Sequence, residues 1–452
     1  MDGERRVDVL LGDSRRALLF MAMPILVSLL AAQANVLADR AWCSGLGVDP
    51  LAAVALVAPL YNVMAGLGSG LGVGASAVVS RMIGAGRREE ASTCASQAVV
   101  FALAFGFASV PLVAVAQVPL LELIGAGEIV DLCSDYMLPY TLTIPLTIIN
   151  GTVAGILNGE GSVRQSTAMM VAMAASNALL DPLFIYWAGM GIQGAAIATV
   201  ASTAISLALG VRFLLSRGSY LNFPGNGFRL SPTHMRMVTA AGVPQMLEYC
   251  VLYGMDAVLN LLVVMCAGAD GFAVFSTSDK VVESLFIPAL AVGSALVPVA
   301  SSAYGQRNPE RMTEAFRRAM WMGIAPVAAL VLLTEAFPEQ IMTLFTYSGQ
   351  MEAYRPDMAY ALTVLCLYAP FFSINPLCSG YLQALARPGV AVACAILRNA
   401  VLITLFFIAG QHSLQAIFWS LLLGHLIGAS MILSVTLAVR RKVFARMAGQ
   451  EP

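Results

Sequence analysis

The sequence predicts an all-helical membrane protein of twelve spans, arranged as two similar halves of six. Three observations predict it. Of the 452 residues 59% are hydrophobic and 11% charged, whereas a soluble domain is about a quarter charged. Twelve apolar runs approach or exceed the roughly 20 residues that a helix needs to cross a bilayer. The second six runs repeat landmarks of the first six at a nearly constant offset.

In chain order the runs cover 17–40, 51–80, 92–121, 136–157, 167–188, 191–215, 237–267, 271–303, 319–338, 358–385, 389–410 and 413–439. Orientation follows from Lys and Arg, which concentrate on the cytoplasmic side. With the N-terminus inside, all but four of the 25 basic residues (Arg40, Lys280, Arg355 and Arg398) fall in cytoplasmic segments. The chain therefore reads as N-in and C-in, multi-pass in the cytoplasmic membrane. The longest polar interruption, SRGSYLNFPGNGFRLSPTHMR at 216–236, lies at the midpoint. It divides an N-terminal lobe (1–215) from a C-terminal lobe (237–452).

The repeat offset is about 220 to 225. Pro24 in the first span matches Pro244 in the seventh. SRMIGAGRREEA (80–91) matches SSAYGQRNPERM (301–312) around Gly84 and Gly305, and IINGTVAGILNG (148–159) matches FSINPLCSGYLQA (372–384) around Gly155 and Gly380. Asn177 matches Asn399. Internal repeats of this kind mark secondary transporters, whose sites lie near the repeat interface.

The carboxylates break the symmetry. The stretch NALLDPLFIYWAGMGIQGAAIAT (177–199) is almost wholly apolar yet contains Asp181. An acid in hydrocarbon is costly and marks function by default. Asn177 stands one turn earlier on the same helical face, Pro182 should bend the helix beside the acid, and Thr199 follows about two turns into the next run. By topology Asp39, near the outer end of the first span, reaches a similar depth. These hard oxygen ligands suit a proton or a small cation. At the repeat offset Asp181 faces Ile403 and Asp39 falls near Leu259, so the acids are an addition to one half. The second half has acids of its own. Glu248, four residues after Pro244, and Asp256 form a possible second site, while Asp279, Lys280, Glu283 and Arg398 read as a buried charge network. His425 reads as a hydrogen-bonded core histidine, and GLGSGLGVG (66–74) as close helix packing rather than phosphate binding.

With these residues in view, the chain resembles the multidrug and toxic compound extrusion (MATE) family over nearly its whole length. The resemblance rests on Pro24 with ADRAWCSGLGVDPLAAVAL (38–56), on SRMIGAG, on ILNGEG, and most specifically on the 177–199 stretch, which looks like the DinF-type branch. It implies a V-shaped two-lobe fold and no enzymatic activity. It implies export of varied amphipathic or cationic compounds, drug-like or metabolic, in exchange for H⁺ or Na⁺. It carries a cation site over to Asp39, Asn177, Asp181 and Thr199, with Pro24 and Pro182 as bending points. No cofactor or nucleic-acid partner is expected; the surroundings are membrane lipid, and a monomer suffices. Three other readings are weaker. A lipid-linked oligosaccharide flippase of the same larger group should want a basic cavity, and the expected interior has more acids than bases. A major-facilitator-type carrier does not account for the Asp181–Pro182 stretch. An intramembrane enzyme would need a nucleophile–base pair or metal-ligand spacing, and neither is present.

Overall fold

The computed structural model describes residues 3–123, 127–223, 230–346 and 352–449. Those residues form α1 (Gly3–Leu11), α2 (Ser14–Ser44), α3 (Val48–Gly84), α4 (Arg88–Leu123), α5 (Val130–Leu142), α6 (Ile144–Gly159), α7 (Val163–Pro182) and α8 (Gly191–Leu214). After them come α9 (Pro232–Leu285), α10 (Ile287–Gly305), α11 (Pro309–Ala336), α12 (Pro338–Thr343), α13 (Arg355–Cys366), α14 (Ala369–Ala384), α15 (Pro388–Gly410) and α16 (Leu414–Met447). Among the described residues ten helices are long and apolar enough to span a membrane, or up to twelve if each of two bent pairs is one span.

The bent pairs are a feature the apolar runs do not reveal. The fourth span is α5 and α6, bent by 53°, and the tenth is α13 and α14, bent by 42°. Pro145 and Pro370 stand at the start of α6 and α14, where the missing proline N–H costs nothing in a new helix but interrupts an old one. At the first bend the Thr143 hydroxyl donates to the Pro139 carbonyl at 2.6 Å. The seventh span continues as α9 past Gly268, whose φ of 66° lies in the left-handed region, into the first part of the expected eighth run; α10 (Ile287–Gly305) forms the rest of that run. Because α9 begins at Pro232, the helix reaches into the segment expected to be linker. Residues 224–229 of that linker lie outside the described residues.

The chain packs as two compact units. One comprises Met1–Cys250 with Ser301–Gln306, the other Val251–Ala300 with Arg307–Pro452. In the first, α3 presents two glycine faces. A Cβ on Gly72 would sit 2.3 Å from the Gly151 carbonyl of α6, and one on Gly74 would sit 2.4 Å from Gly242 of α9. The glycine-rich run is thus a packing device, as expected. In the second unit the repeat-related contact recurs: a Cβ on Gly380 would sit 2.8 Å from the Gly293 carbonyl, as one on Gly155 would meet the Gly72 carbonyl at 2.1 Å. The repeat legible in the sequence is therefore a repeat of backbone contacts.

Pro24 lies inside α2, and its carbonyl accepts from Thr167 of α7 at 2.9 Å and from Ser28 at 3.2 Å. The Ser28 hydroxyl also lies 3.0 Å from that of Thr167. This knot ties the bending point of α2 to α7. We expect Thr167→Val to destabilise the protein by about 1 kcal/mol, the net worth of a neutral hydrogen bond, and Thr167→Ser to be near neutral, as checked by denaturant unfolding of both variants.

Candidate ion-coupling site

The first unit brings all four expected residues together. On α7, Asn177 and Asp181 are one turn apart and fully buried. The Asn177 amide donates to Asp181 Oδ1 at 3.2 Å and to Thr199 Oγ1 of α8 at 3.3 Å. Thr199 in turn donates to the Ala195 carbonyl at 3.1 Å. Asp39 of α2 completes the group, its carboxyl within hydrogen-bonding reach of Asp181. Among the described residues, Asp39 Oδ1, Asp181 Oδ2 and Asn177 Oδ1 are buried acceptors without a donor. That balance favours a cation. A carboxylate in the bilayer costs about 3 kcal/mol on insertion scales, and one hydrogen bond to a charged group returns about 1.5–3 kcal/mol net, so two carboxylates sharing one amide donor are left under-compensated.

Local structure places these groups. The helix does not end in a sharp kink at Pro182. It widens into a π-turn over Leu183–Trp187, where the Ala188 N–H reaches back to the Leu183 carbonyl at 2.8 Å. Such turns absorb the missing proline N–H without abandoning helical bonding, and they recur at functional sites. Gly189 and Gly191, with φ of 68° and 56°, then reverse the chain into α8. A Cβ on Gly194 would come within 2.7 Å of the Phe184 backbone, so α8 lies tight against the π-turn. Tyr186 in that turn donates to the Trp42 carbonyl and packs edge-on against the Trp42 ring at 6.2 Å. This tie holds the outer end of α2, and with it Asp39, beside Asp181.

The acids of the second half are arranged differently. Glu248 accepts from Gln245 at 3.1 Å and belongs to the first unit, while Asp256 belongs to the second. Asp256 is exposed and within electrostatic range of Asp279, Lys280, Glu283 and Arg398. Lys280 pairs with Glu283 at 2.6 Å rather than with adjacent Asp279, because residues three apart share a helix face. Asp279 instead accepts from Tyr368 at 2.8 Å. His425 departs from the expectation of a hydrogen-bonded histidine. Its ring stacks on Tyr368 at 4.7 Å, and among the described residues its buried Nδ1 has no partner.

A sequence-family model described as MatE matches residues 24–183 and 244–408, well over half the chain. The chain belongs to the MatE family. The match is to transport proteins, so this MatE protein is a multi-pass membrane transporter and not an enzyme. It is 26% identical to a protein of Shewanella oneidensis named FAD transporter, over 78% of this chain and 79% of that one. It is 22% identical to the multidrug export protein MepA of Staphylococcus haemolyticus, over 87% of this chain and 86% of that one. Among solved structures it resembles a MOP superfamily transporter from Pyrococcus furiosus, titled for the reverse polarity of its binding pocket (TM-score 0.91, 27% identity, 97% of this chain and 98% of that one). It also resembles the outward-facing conformation of a multidrug resistance MATE family transporter (TM-score 0.90, 27% identity, the same coverage). The all-helical architecture expected from the sequence is thus that of the MATE fold.

Several groups around the MatE site escape the sequence reading. The Tyr140 hydroxyl of α5 lies 3.4 Å from that of Thr199 and 3.2 Å from that of Tyr136, and its ring packs at 4.7 Å from that of Tyr61. Tyr136 lies within electrostatic range of Asp39. Asn35, one turn before Asp39, has a buried Oδ1 with no donor among the described residues. The four-residue spacings of Tyr136 and Tyr140, and of Asn35 and Asp39, were signals available in the sequence.

Proposed function

We propose that this transporter is a cation-coupled antiporter of the DinF-type branch, exporting amphipathic or cationic compounds in exchange for H⁺ or Na⁺. One observation carries the reading: two carboxylates on different helices, Asp39 and Asp181, meet in a buried site whose remaining acceptor oxygens lack donors. Like charges this close repel strongly in a low dielectric, so the pair gains by taking a cation. Asn177 and Thr199 add neutral oxygens, as hard cations prefer. With the cation bound, the pair no longer attracts a cationic substrate. With it released, the pair does. The lobes 1–215 and 237–452, joined by the linker 216–236, would move relative to each other, with Pro24 letting α2 bend as the site changes charge. The names of the multidrug-export relatives support the substrate class, and the one named FAD transporter makes FAD a necessary alternative cargo.

The test is efflux from proteoliposomes of defined orientation, with a pH gradient and a Na⁺ gradient imposed separately and a cationic dye and FAD each offered as cargo. One gradient should drive dye export. Transport that neither gradient accelerates would remove the antiport reading, and gradient-driven export of FAD alone would overturn the substrate class. Tyr140→Phe should weaken the apparent ion affinity less than about tenfold, because a neutral hydrogen bond contributes only about 1 kcal/mol. An ion titration of driven efflux measures this.

A further inference from the structure

On the opposite side of the first unit from the acids lies a different kind of cavity. Its volume is about 520 Å³, within the range of ligand sites, and it opens between the first turns of α2 and α7. Arg15 and Arg16 line it from α2, and Arg164 from α7. Among the described residues none of the three forms a salt bridge. Asp13 also lines the cavity, leaving a net charge of two positive; its carboxylate is held by the Arg16 backbone N–H at 2.9 Å as the cap of α2. Deeper toward the hydrocarbon the wall is apolar: Leu19, Phe20 and Met23, with Leu19 43% and Met23 57% exposed. The Arg164 guanidinium lies 5.4 Å from the Phe20 ring centroid, a cation–π distance that fixes it across the cleft.

We propose that this cleft binds an anionic phospholipid of the cytoplasmic leaflet, its phosphate held by Arg15, Arg16 and Arg164 and an acyl chain lying along Leu19, Phe20 and Met23. The N-in topology puts the arginines at headgroup level and the apolar wall at the level of the acyl chains. Basic pockets between spans on this face are suited to such headgroups. Arginine is also suited to phosphate oxygens, because its planar fork of donors matches them. A free phosphate would satisfy the arginines but leave the apolar wall wet, so a phospholipid is the occupant that fits both ends. The far end of the cleft is Pro24 itself, whose carbonyl is knotted to Thr167 and Ser28. A bound lipid would therefore brace α2 against α7 at the bending point. This inference is independent of the identity of the coupling ion.

Native mass spectrometry of the full-length protein, titrated with phosphatidylglycerol and phosphatidylcholine, tests it. The parent should retain phosphatidylglycerol in preference to phosphatidylcholine. Arg15→Gln/Arg16→Gln/Arg164→Gln should lower the phosphatidylglycerol affinity roughly 100-fold, and each single substitution about fivefold, the effect expected of one basic residue at an anionic surface. The single variants keep the test decisive if the triple variant folds poorly. Arg387→Gln/Arg441→Gln/Lys442→Gln, which removes the same charge from other cytoplasmic positions, should leave the affinity unchanged. Equal loss in that control would mean a diffuse surface effect and overturn the proposal. So would unchanged lipid retention in the single and triple variants, or displacement of the lipid by millimolar inorganic phosphate, which would mark a soluble-anion site.

Discussion

Asp181→Asn should cut ion-driven efflux roughly tenfold to hundredfold while leaving the fold intact. The substitution is nearly isosteric, and an asparagine oxygen at this position can still accept from the Asn177 amide, 3.2 Å away in the parent. What disappears is the charge. A hydrogen bond or contact to a charged group contributes about 1.5–3 kcal/mol, which corresponds to roughly tenfold to hundredfold in ion affinity. Driven efflux should fall by that factor in proteoliposomes at a fixed gradient. Asp39→Asn should have the same effect, and the double variant should be little worse than either, because two groups sharing one cation are not additive. Trp42 lies one turn beyond Asp39, and Trp187 closes the π-turn after Asp181. Ion-dependent tryptophan fluorescence should therefore be present in the parent and lost in both single variants. Efflux and fluorescence response that survive in Asp181→Asn would end the proposed mechanism.

Gly155→Val should have the largest effect on stability. A Cβ at Gly155 would lie 2.1 Å from the Gly72 carbonyl oxygen and 2.3 Å from its Cα, both backbone atoms that cannot rotate away. The helices α3 and α6 would have to separate, and side chains forced into a packed core cost about 1–3 kcal/mol or more. Membrane helices associate through such close backbone approach rather than through the hydrophobic effect, so no other term compensates. We expect little folded protein at normal expression, and a clearly lowered melting midpoint in what is recovered. Gly389→Ala provides the contrast: a Cβ there meets nothing within 4 Å, and its melting midpoint should match the parent. Equal midpoints for Gly155→Val and the parent would contradict the close packing of α3 on α6.

The two variants probe features that were legible to different degrees. Asn177 and Asp181 were readable because their relation is local: a four-residue spacing on one helix sets their contact whatever surrounds it. Pro182 was readable as an interruption but not as a π-turn, because the repair depends on what packs there, here Gly194 against Phe184. Lys280 was read into a buried charge network with Asp279, Glu283 and Arg398, whereas its side chain is exposed and pairs with Glu283 one turn on. The tyrosines around the site were missed because aromatic residues in a membrane span carry no single meaning until a partner is known.

The sequence by itself determined that the protein is helical, that it has apolar stretches enough for the ten to twelve spans seen, that its halves repeat, and which acid lies in an apolar stretch. Each of these rests on composition or on a period of a few residues, and local physics decides them. Only the tertiary structure decided what meets what. Tyr186 ties to Trp42 across 144 residues, Tyr140 reaches Thr199 across 59, and Arg164 faces Phe20 from another helix. Contacts at such separations depend on how apolar helices pack. That packing is set by the shape of small residues such as Gly72 and Gly155, and hydropathy does not encode it.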